Sequence, residues 1–350
     1  MKPFNELSRL GRIRRFRRLA ESALDLYGIK PVSVKFIRLA GNVVFRVFAS
    51  KSARDEKTPD FFAKDQYLLR IHGPLEQKHD SIELEMEWLM AIRRGTGLPV
   101  PEPLRAGDGS LLVRISIPEI PGEWDCTILR WLKGRLIKSK IQPRHFRAQG
   151  RLLARLHNHA SVWRPPPLLT KRSFDWNGLF RDDAGAGIPN SEAWRLLPDK
   201  YQRPFEAVAH RVKRLMGKWG KNPDVYGLIH GDCGVDANVL FWKGEAHPID
   251  FDGSGFGYYI YDLAVALEHC WEDTNYSEFK SALLDGYAEF RSLPETHIMN
   301  MDPLLAGFYV YMSLWSSAVD MANPGSATRL ERRRRWQDRG MEFITRHIDI

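Results

Sequence analysis

Cysteine is scarce in this chain: three residues, Cys126, Cys233 and Cys270, among 350. None belongs to a paired metal-binding motif, and so sparse a set excludes a disulfide-stapled scaffold and points to a reducing compartment. No run of about 18 apolar residues occurs, which excludes a hydrophobic membrane-spanning helix. Neither an internal repeat nor a low-complexity tract divides the chain into an array. The opening residues lack the long apolar core of a secretory signal, so a cytoplasmic protein is expected. What is present is enough for a large core, with 43% hydrophobic and 11% aromatic residues. The length exceeds the usual size of a single core and fits two lobes sharing one cleft.

Charge is abundant and uneven. The formal balance is +9, with Arg12, Arg14, Arg15, Arg17 and Arg18 near the start and Arg329, Arg332, Arg333, Arg334 and Arg335 near the end. Basic helices of this kind bind nucleic acid, acidic lipid or acidic protein surfaces, or they are solvated helix faces with residues such as Ile13, Phe16 and Ala20 turned inward. The second reading is the expectation here, and nucleic acid is not expected as a partner.

The chemistry concentrates further on. His230-Gly231-Asp232 is followed by Asn238 and by Pro248-Ile249-Asp250-Phe251. The apolar stretch Val225 to Ile229 reads as a strand entering the loop, and Asn238 to Trp242 as a strand leaving it, so polar groups are held between buried strands. Two acids and an amide at these intervals suit phosphoryl transfer, which asks for positioning, charge neutralisation and an acceptor for the proton of an incoming hydroxyl. Asp232 is the candidate base. Asn238 and Asp250 are candidate ligands for magnesium, a hard cation that prefers oxygen.

With Tyr261-Asp262-Leu263-Ala264 added, this ordered set resembles the aminoglycoside phosphotransferase and choline kinase-like superfamily, from about residue 30 to about residue 320. The resemblance implies an α+β, two-lobed protein kinase-like fold. It would have a basic helical extension at 1–29, a small antiparallel β lobe with one helix at 30–133, and a larger, mainly helical lobe at 134–350. It also implies transfer of the γ-phosphoryl of ATP, with Mg2+, to a hydroxyl of a small molecule or, in some members, of a protein. One departure stands out. The family places its Asn five residues after the catalytic Asp, where this chain has Ala237 and then Asn238. Gly234 offers the backbone freedom for a bulge that returns Asn238 to the metal, and Asp236 is the competing ligand.

The amino-terminal half supplies the other part of an ATP site. Ser33 to Phe48 reads as strand, tight turn, strand around Leu39-Ala40-Gly41-Asn42, and backbone N–H groups at Gly41 and Asn42 would face a nucleotide as kinase phosphate loops do. Arg70, in the apolar strand Tyr67 to Ile71, stands where a kinase-like chain carries its phosphate-binding lysine, and its forked guanidinium can grip phosphate oxygens. Glu85 falls in a helical pattern from Ser81 to Arg94. It is either paired with Arg70 or solvated at the edge of the apolar stripe. By resemblance Leu129-Arg130-Trp131-Leu132 is the hinge whose backbone meets adenine; Trp131 is otherwise a core aromatic.

Beyond these, His157 and His159 point to different sides of a helix expected over Arg144 to Ala160, which makes them structural histidines. Arg181 to Pro189 reads as loop. Pro204 to Trp219 and Pro303 to Ala322 read as helices opening on a proline. Tyr258, Tyr259, Trp271, Glu268, Glu272 and Asp273 suit a cationic amine, or are core aromatics and solvated acids. The acceptor is expected to be a small hydroxyl-bearing metabolite, with a protein Ser/Thr acceptor or a non-catalytic binding module as alternatives.

Overall fold

The computed structural model describes residues 3–51, 58–73, 78–182, 188–322 and 327–349. The central part of the loop expected over Arg181 to Pro189, at 183–187, lies outside the described residues. The chain divides into two compact units. The first comprises Met1–Arg135, Arg164–Thr170 and His247–Asp252; the second comprises Leu136–Trp163, Lys171–Ala246 and Gly253–Ile350. No helix among the described residues is long and apolar enough to cross a membrane.

The first unit opens with α1 (Arg9–Leu26), capped by the Ser8 hydroxyl, which accepts the Gly11 N–H at 3.2 Å. Phe16, Leu19, Ala20, Ala23 and Leu24 recur at helical spacing and are all buried, so this face belongs to a core, while Ile13 is half-buried. Each large apolar side chain buried this way contributes about 1.5–3 kcal/mol. The arginines between them stay at the surface, where Arg15 donates to the Glu119 carbonyl and Arg18 pairs with the Glu119 carboxylate.

The strands that follow are β1 (Pro31–Ala40), β2 (Asn42–Ala49), β3 (Phe62–Ile71), β4 (Val113–Ile117) and β5 (Ile120–Leu132), with α2 (His79–Thr96) between β3 and β4. They form one antiparallel sheet in the order β1-β2-β3-β5-β4. Alternation divides its two faces. Val43, Phe45, Val47, Tyr67, Leu69, Ile71, Cys126 and Ile128 share a core cluster with the apolar residues of α1. The intervening positions Asn42, Val44, Arg46, Leu68, Arg70, Thr127, Leu129 and Trp131 lie on the opposite face, where the register sets Arg70 opposite Thr127 and Leu68 opposite Leu129. The basic segment at the start therefore covers one side of the sheet and leaves the polar side for chemistry.

After a two-residue strand, β6 (Arg135–Leu136), the second unit carries α3 (Pro143–Val162), α4 (Trp176–Phe180), α5 (Asn190–Arg195) and α6 (Asp199–Trp219). Then come β7 (Tyr226–Ile229), β8 (Val239–Trp242), β9 (Glu245–Pro248), β10 (Gly255–Tyr258) and α7 (Tyr259–Ala266). The remaining helices are α8 (Tyr276–Ala288), α9 (Glu295–Ile298), α10 (Met301–Ala322) and α11 (Ala327–His347). β7 pairs antiparallel with β10, from Tyr226 opposite Tyr258 to Ile229 opposite Gly255.

Two helix starts differ from expectation. Pro204 is the sixth residue of α6, not the first, because Tyr201 and Phe205 are both buried with rings 5.6 Å apart. Their burial draws the helix back one turn past a proline that removes a backbone hydrogen bond. Pro303 is the third residue of α10, where the missing N–H has no intrahelical acceptor to lose. The arginines of α11 are partly exposed, with Arg333 paired to Asp320 at 2.9 Å.

Helices α3 and α8 touch backbone to backbone. A side chain at Gly150 would run into the Leu283 carbonyl and stand 2.8 Å from the Tyr287 nitrogen, and one at Gly286 would strike the Arg147 carbonyl. Gly150→Ala is therefore expected to cost about 1–3 kcal/mol or more through overpacking. Urea unfolding checks this, and an unchanged midpoint would show that the helices separate freely.

Candidate functional site

In the second unit, β7 delivers His230, Gly231 and Asp232 in succession. His230 is fully buried, and Asp232 is exposed. Gly231 adopts φ +79°, and a side chain there would sit 2.5 Å from the Phe174 ring and 2.8 Å from the Gly253 carbonyl. Both the left-handed backbone and the lack of space demand glycine.

The lengthened loop closes as one helical turn: Ala237 and Asn238 both donate their N–H groups to the Gly234 carbonyl, at 3.2 and 3.0 Å. That turn absorbs the extra residue. Gly234 itself is not among the residues with positive φ, so the expected glycine bulge is replaced by a turn any residue can adopt. Asn238 Nδ2 donates to the Asp232 carbonyl at 2.8 Å and to Asp232 Oδ2 at 3.0 Å. Asp236 instead lies 4.0 Å from His269 Nε2. The Asp232 carboxylate is thus fixed in orientation by Asn238, with its outer face open to solvent.

The loop is anchored by a residue whose role the motif alone does not reveal. Asp262, fully buried on α7, accepts the N–H groups of His230 at 2.8 Å and Gly231 at 2.7 Å, and lies 3.1 Å from His157 Nε2. The other nitrogen of His157 meets the Tyr287 hydroxyl at 3.0 Å. Burial acts to raise the Asp262 pKa, but its hydrogen bonds and neighbouring histidines outweigh that and hold it below the usual carboxylate range. Burial depresses His157 despite Asp262. A backbone contact from Gln149 Nε2 to the Cys233 carbonyl, 2.5 Å, completes the support. The Cys233 thiol is fully enclosed and pushed well up by burial, which makes it inert.

The first unit assembles its own polar cluster. Gly41 turns the β1–β2 hairpin with φ +68°. Arg70 and Glu85, both almost completely buried, form an ion pair at 2.5 Å. Burial works against the charged guanidinium, yet Glu85, Asp252 and Asp250 raise its pKa overall. Asp250 Oδ1 lies 3.9 Å from Arg70, and Asp250 Oδ2 lies 3.3 Å from Arg38. Asn42 Nδ2 donates to Asp252 Oδ2 at 3.2 Å. Asp250 takes φ +65°, a conformation non-glycine residues rarely hold. Leu129 is buried on the same face of the sheet. Trp131 lies under the Arg46 guanidinium at 4.0 Å, and the Arg130 N–H is taken by the Glu102 carbonyl at 2.9 Å. The structure therefore brings Asn42, Arg70, Glu85, Leu129 and Trp131 to one side of one sheet, beside Asp250, with Gly41 at its turn.

This set fits a magnesium nucleotide. Arg70 Nε and Asn42 Oδ1 are buried with no hydrogen-bond partner, a donor and an acceptor unused by the protein. Among the described residues no group of three or more His, Cys, Asp or Glu side chains is arranged to hold a metal. Magnesium suits such a site, since it is typically bound by one or two protein carboxylates together with phosphates and water.

The aromatic residues expected to suit an amine are core. Tyr258, Tyr259 and Trp271 are buried, with the two tyrosine hydroxyls donating to the Met216 and Pro223 carbonyls. Glu268 bonds His269 at 2.7 Å and Glu272 pairs with Arg339 at 2.8 Å. Asp252 and Arg172 were not singled out in the sequence, and Asp262 was named there only within the Tyr261-Asp262-Leu263-Ala264 motif, with no role assigned to it.

An antiparallel sheet with a buried Arg–Glu pair, and a helical unit holding an oriented carboxylate at a strand end, place the molecule in the protein kinase-like fold class. A solved microcompartment-associated aminopropanol kinase aligns over 95% of this chain and 97% of its own, with a TM-score of 0.69 and 22% identity. An amicoumacin kinase in complex with AMP-PNP, Ca2+ and Ami aligns over 93% of each chain, with a TM-score of 0.70 and 20% identity. The sequence model of the phosphotransferase enzyme family matches residues 52–297, and the chain belongs to that family. Homoserine kinase of Allorhizobium ampelinum is 29% identical over 231 residues, a stretch covering 63% of this chain and 64% of that protein.

The His157–Asp262 pair sets a pH dependence. With a folded pKa below the ordinary imidazole value of about 6.5, His157 takes up its proton first in the unfolded chain. Its contribution is complete above that pH and is lost progressively below it, and Asp262 adds a loss in the same direction at lower pH. Urea midpoints are expected to fall between pH 7 and pH 5, and His157→Gln to flatten that fall; an unaltered slope in the variant would assign the proton to another group.

Proposed function

We propose that this chain is an ATP- and magnesium-dependent phosphotransferase that moves a γ-phosphoryl group to the hydroxyl of a small metabolite. The observation that carries the reading is the Asp232 carboxylate, exposed beyond the buried end of β7 and held in one orientation by Asn238. In this reading Asp232 accepts the proton of the attacking hydroxyl. Asn238 serves twice, orienting Asp232 through Nδ2 and offering its carbonyl oxygen to magnesium, for which Asp250 is the carboxylate ligand.

Arg70, held by Glu85, grips phosphate oxygens through the Nε edge that the protein leaves unused, while Gly41 and Asn42 present the hairpin turn to the phosphates. Leu129 and Trp131 lie along the adenine side. When bound, the magnesium nucleotide supplies the phosphoryl group and neutralises charge as the bond to it breaks. The relatives named above, homoserine, aminopropanol and amicoumacin kinases, support a small hydroxyl acceptor. A non-catalytic module has no need of an oriented base, and the basic helices that would favour one are largely surface or core-covering elements.

Asp232→Asn is expected to reduce transfer by about 10²–10⁴-fold, the usual weight of a general base, while MgATP binding measured by titration calorimetry persists. Retained turnover would remove Asp232 from the role. Of the two loop variants, Asn238→Ala is expected to raise the magnesium requirement and Asp236→Ala to leave it unchanged; the reverse pattern in a magnesium titration would make Asp236 the ligand.

A further inference from the structure

Arg172 stands at the edge of the small sheet that feeds the base. Its carbonyl accepts the Phe256 N–H at 2.9 Å, the Phe174 N–H reaches the Phe256 carbonyl at 2.6 Å, and Ser173 forms a parallel bridge with Phe256. Phe256 is paired in turn with Leu228 on β7. This segment therefore adds a single bridge to the outer edge of β10, level with the residues that lead directly into His230-Gly231-Asp232.

The side chain is held as firmly as the backbone. The guanidinium lies 4.4 Å from the centroid of the Phe174 ring and 5.1 Å from that of Tyr311, and its Nη2 donates to the Tyr311 hydroxyl at 2.5 Å. Phe174 is the same ring that closes on Gly231, so one aromatic ring separates the cation from the residue preceding Asp232. Phe174 and Tyr311 are buried, whereas Arg172 is exposed. One of its five N–H groups is engaged by Tyr311, and the other four have no hydrogen-bond partner among the described residues.

A guanidinium stacked on a ring and fixed by a tyrosine, on a residue open to solvent, is pre-organised for a forked bond to an anion. The field of Asp232 reaches it, as does that of Tyr261. A cation placed this close to the base is in the territory of the molecule whose hydroxyl Asp232 must meet. An acceptor with only an ammonium group would be repelled by it, whereas one with a carboxylate would occupy the free donors.

We propose that Arg172, oriented by Phe174 and Tyr311, binds a carboxylate on the phosphoryl acceptor, so that the preferred substrate is a hydroxyl-bearing amino acid rather than a simple amino alcohol. The proposal rests on the phosphotransferase reading and names the acceptor class for that site. Arg172 is a specificity-determining residue in this scheme, and the proton is still taken by Asp232.

Homoserine and 3-amino-1-propanol, which differ by the carboxylate, separate the possibilities. With the full chain at saturating MgATP, homoserine is expected to give the higher kcat/KM. Arg172→Met should raise the homoserine KM about 10- to 100-fold, the worth of a charge-assisted hydrogen bond, and change 3-amino-1-propanol by less than about twofold on the same scale. Arg172→Lys, which keeps the charge but loses the fork, should fall between. Equal losses on both acceptors would make Arg172 a structural support, and a shift confined to the ATP KM would make it a phosphate contact; either overturns the proposal, as does a wild type indifferent to the carboxylate. Turnover of neither acceptor would count against the phosphotransferase reading itself. Titration calorimetry of homoserine against wild type and Arg172→Met then still judges the carboxylate site: binding lost in the variant supports it, and no binding to either protein overturns it.

Discussion

One buried carboxylate holds the loop that carries Asp232 in place. Asp262 has no access to water, and a charge so placed is costly unless every lone pair is used. Two backbone N–H groups and one imidazole meet that demand. The donors are the peptide groups of His230 and Gly231, so satisfying the charge and fixing the backbone before Asp232 are a single act. His157 extends the arrangement: its ring stacks on Tyr259 at 4.5 Å and reaches Tyr287, tying α3, α7 and α8 to the same anion. The glycines at the α3–α8 crossing let these helices approach closely enough for that histidine to span them.

The first unit follows a related logic with opposite sign. Its buried cation, Arg70, is matched by Glu85, but a buried pair seldom adds net stability over apolar residues of similar volume. Its place on the polar face of the sheet leaves one guanidinium edge, Nε, buried without a hydrogen-bond partner, the edge that the proposed function gives to phosphate. Arg38, Arg70 and Asn42 gather around Asp250 and Asp252, so cationic and amide donors and carboxylate oxygens are interleaved before any ligand arrives. A magnesium nucleotide brings both signs with it, and such a surface can exchange internal pairings for new ones without exposing an uncompensated charge.

Much of this was legible in the chain because it depends on short-range pattern. Period-two alternation in Ser33 to Phe48 and Tyr67 to Ile71 reflects a sheet with one apolar and one mixed face, and the His-Gly-Asp run announces itself by residue type and spacing. Glu85 was recognisable as an acid within an apolar stripe. What escaped were relations set by distant chain segments. Arg172 and Tyr311 are 139 positions apart, Asn42 and Asp252 are 210, and no local period encodes either meeting. The proline errors have a similar origin, since burial of Tyr201 and Phe205 outweighs a local helix-start signal. The aromatics after Asp250 were ambiguous for a different reason: composition cannot distinguish a ring that lines a site from one that supports it.

Asp250 occupies a backbone conformation that suits glycine, at a cost of about 1–2 kcal/mol for a residue with a side chain. Its carboxylate already lies within reach of Arg38 and Arg70, and under the proposed function it would also take the magnesium. Stability and function therefore pull this position toward different residues. If Asp250 holds the metal as proposed, a library sorted for heat resistance alone would drift toward glycine at 250 and lose turnover, so any effort to harden this protein has to screen for activity at the same time.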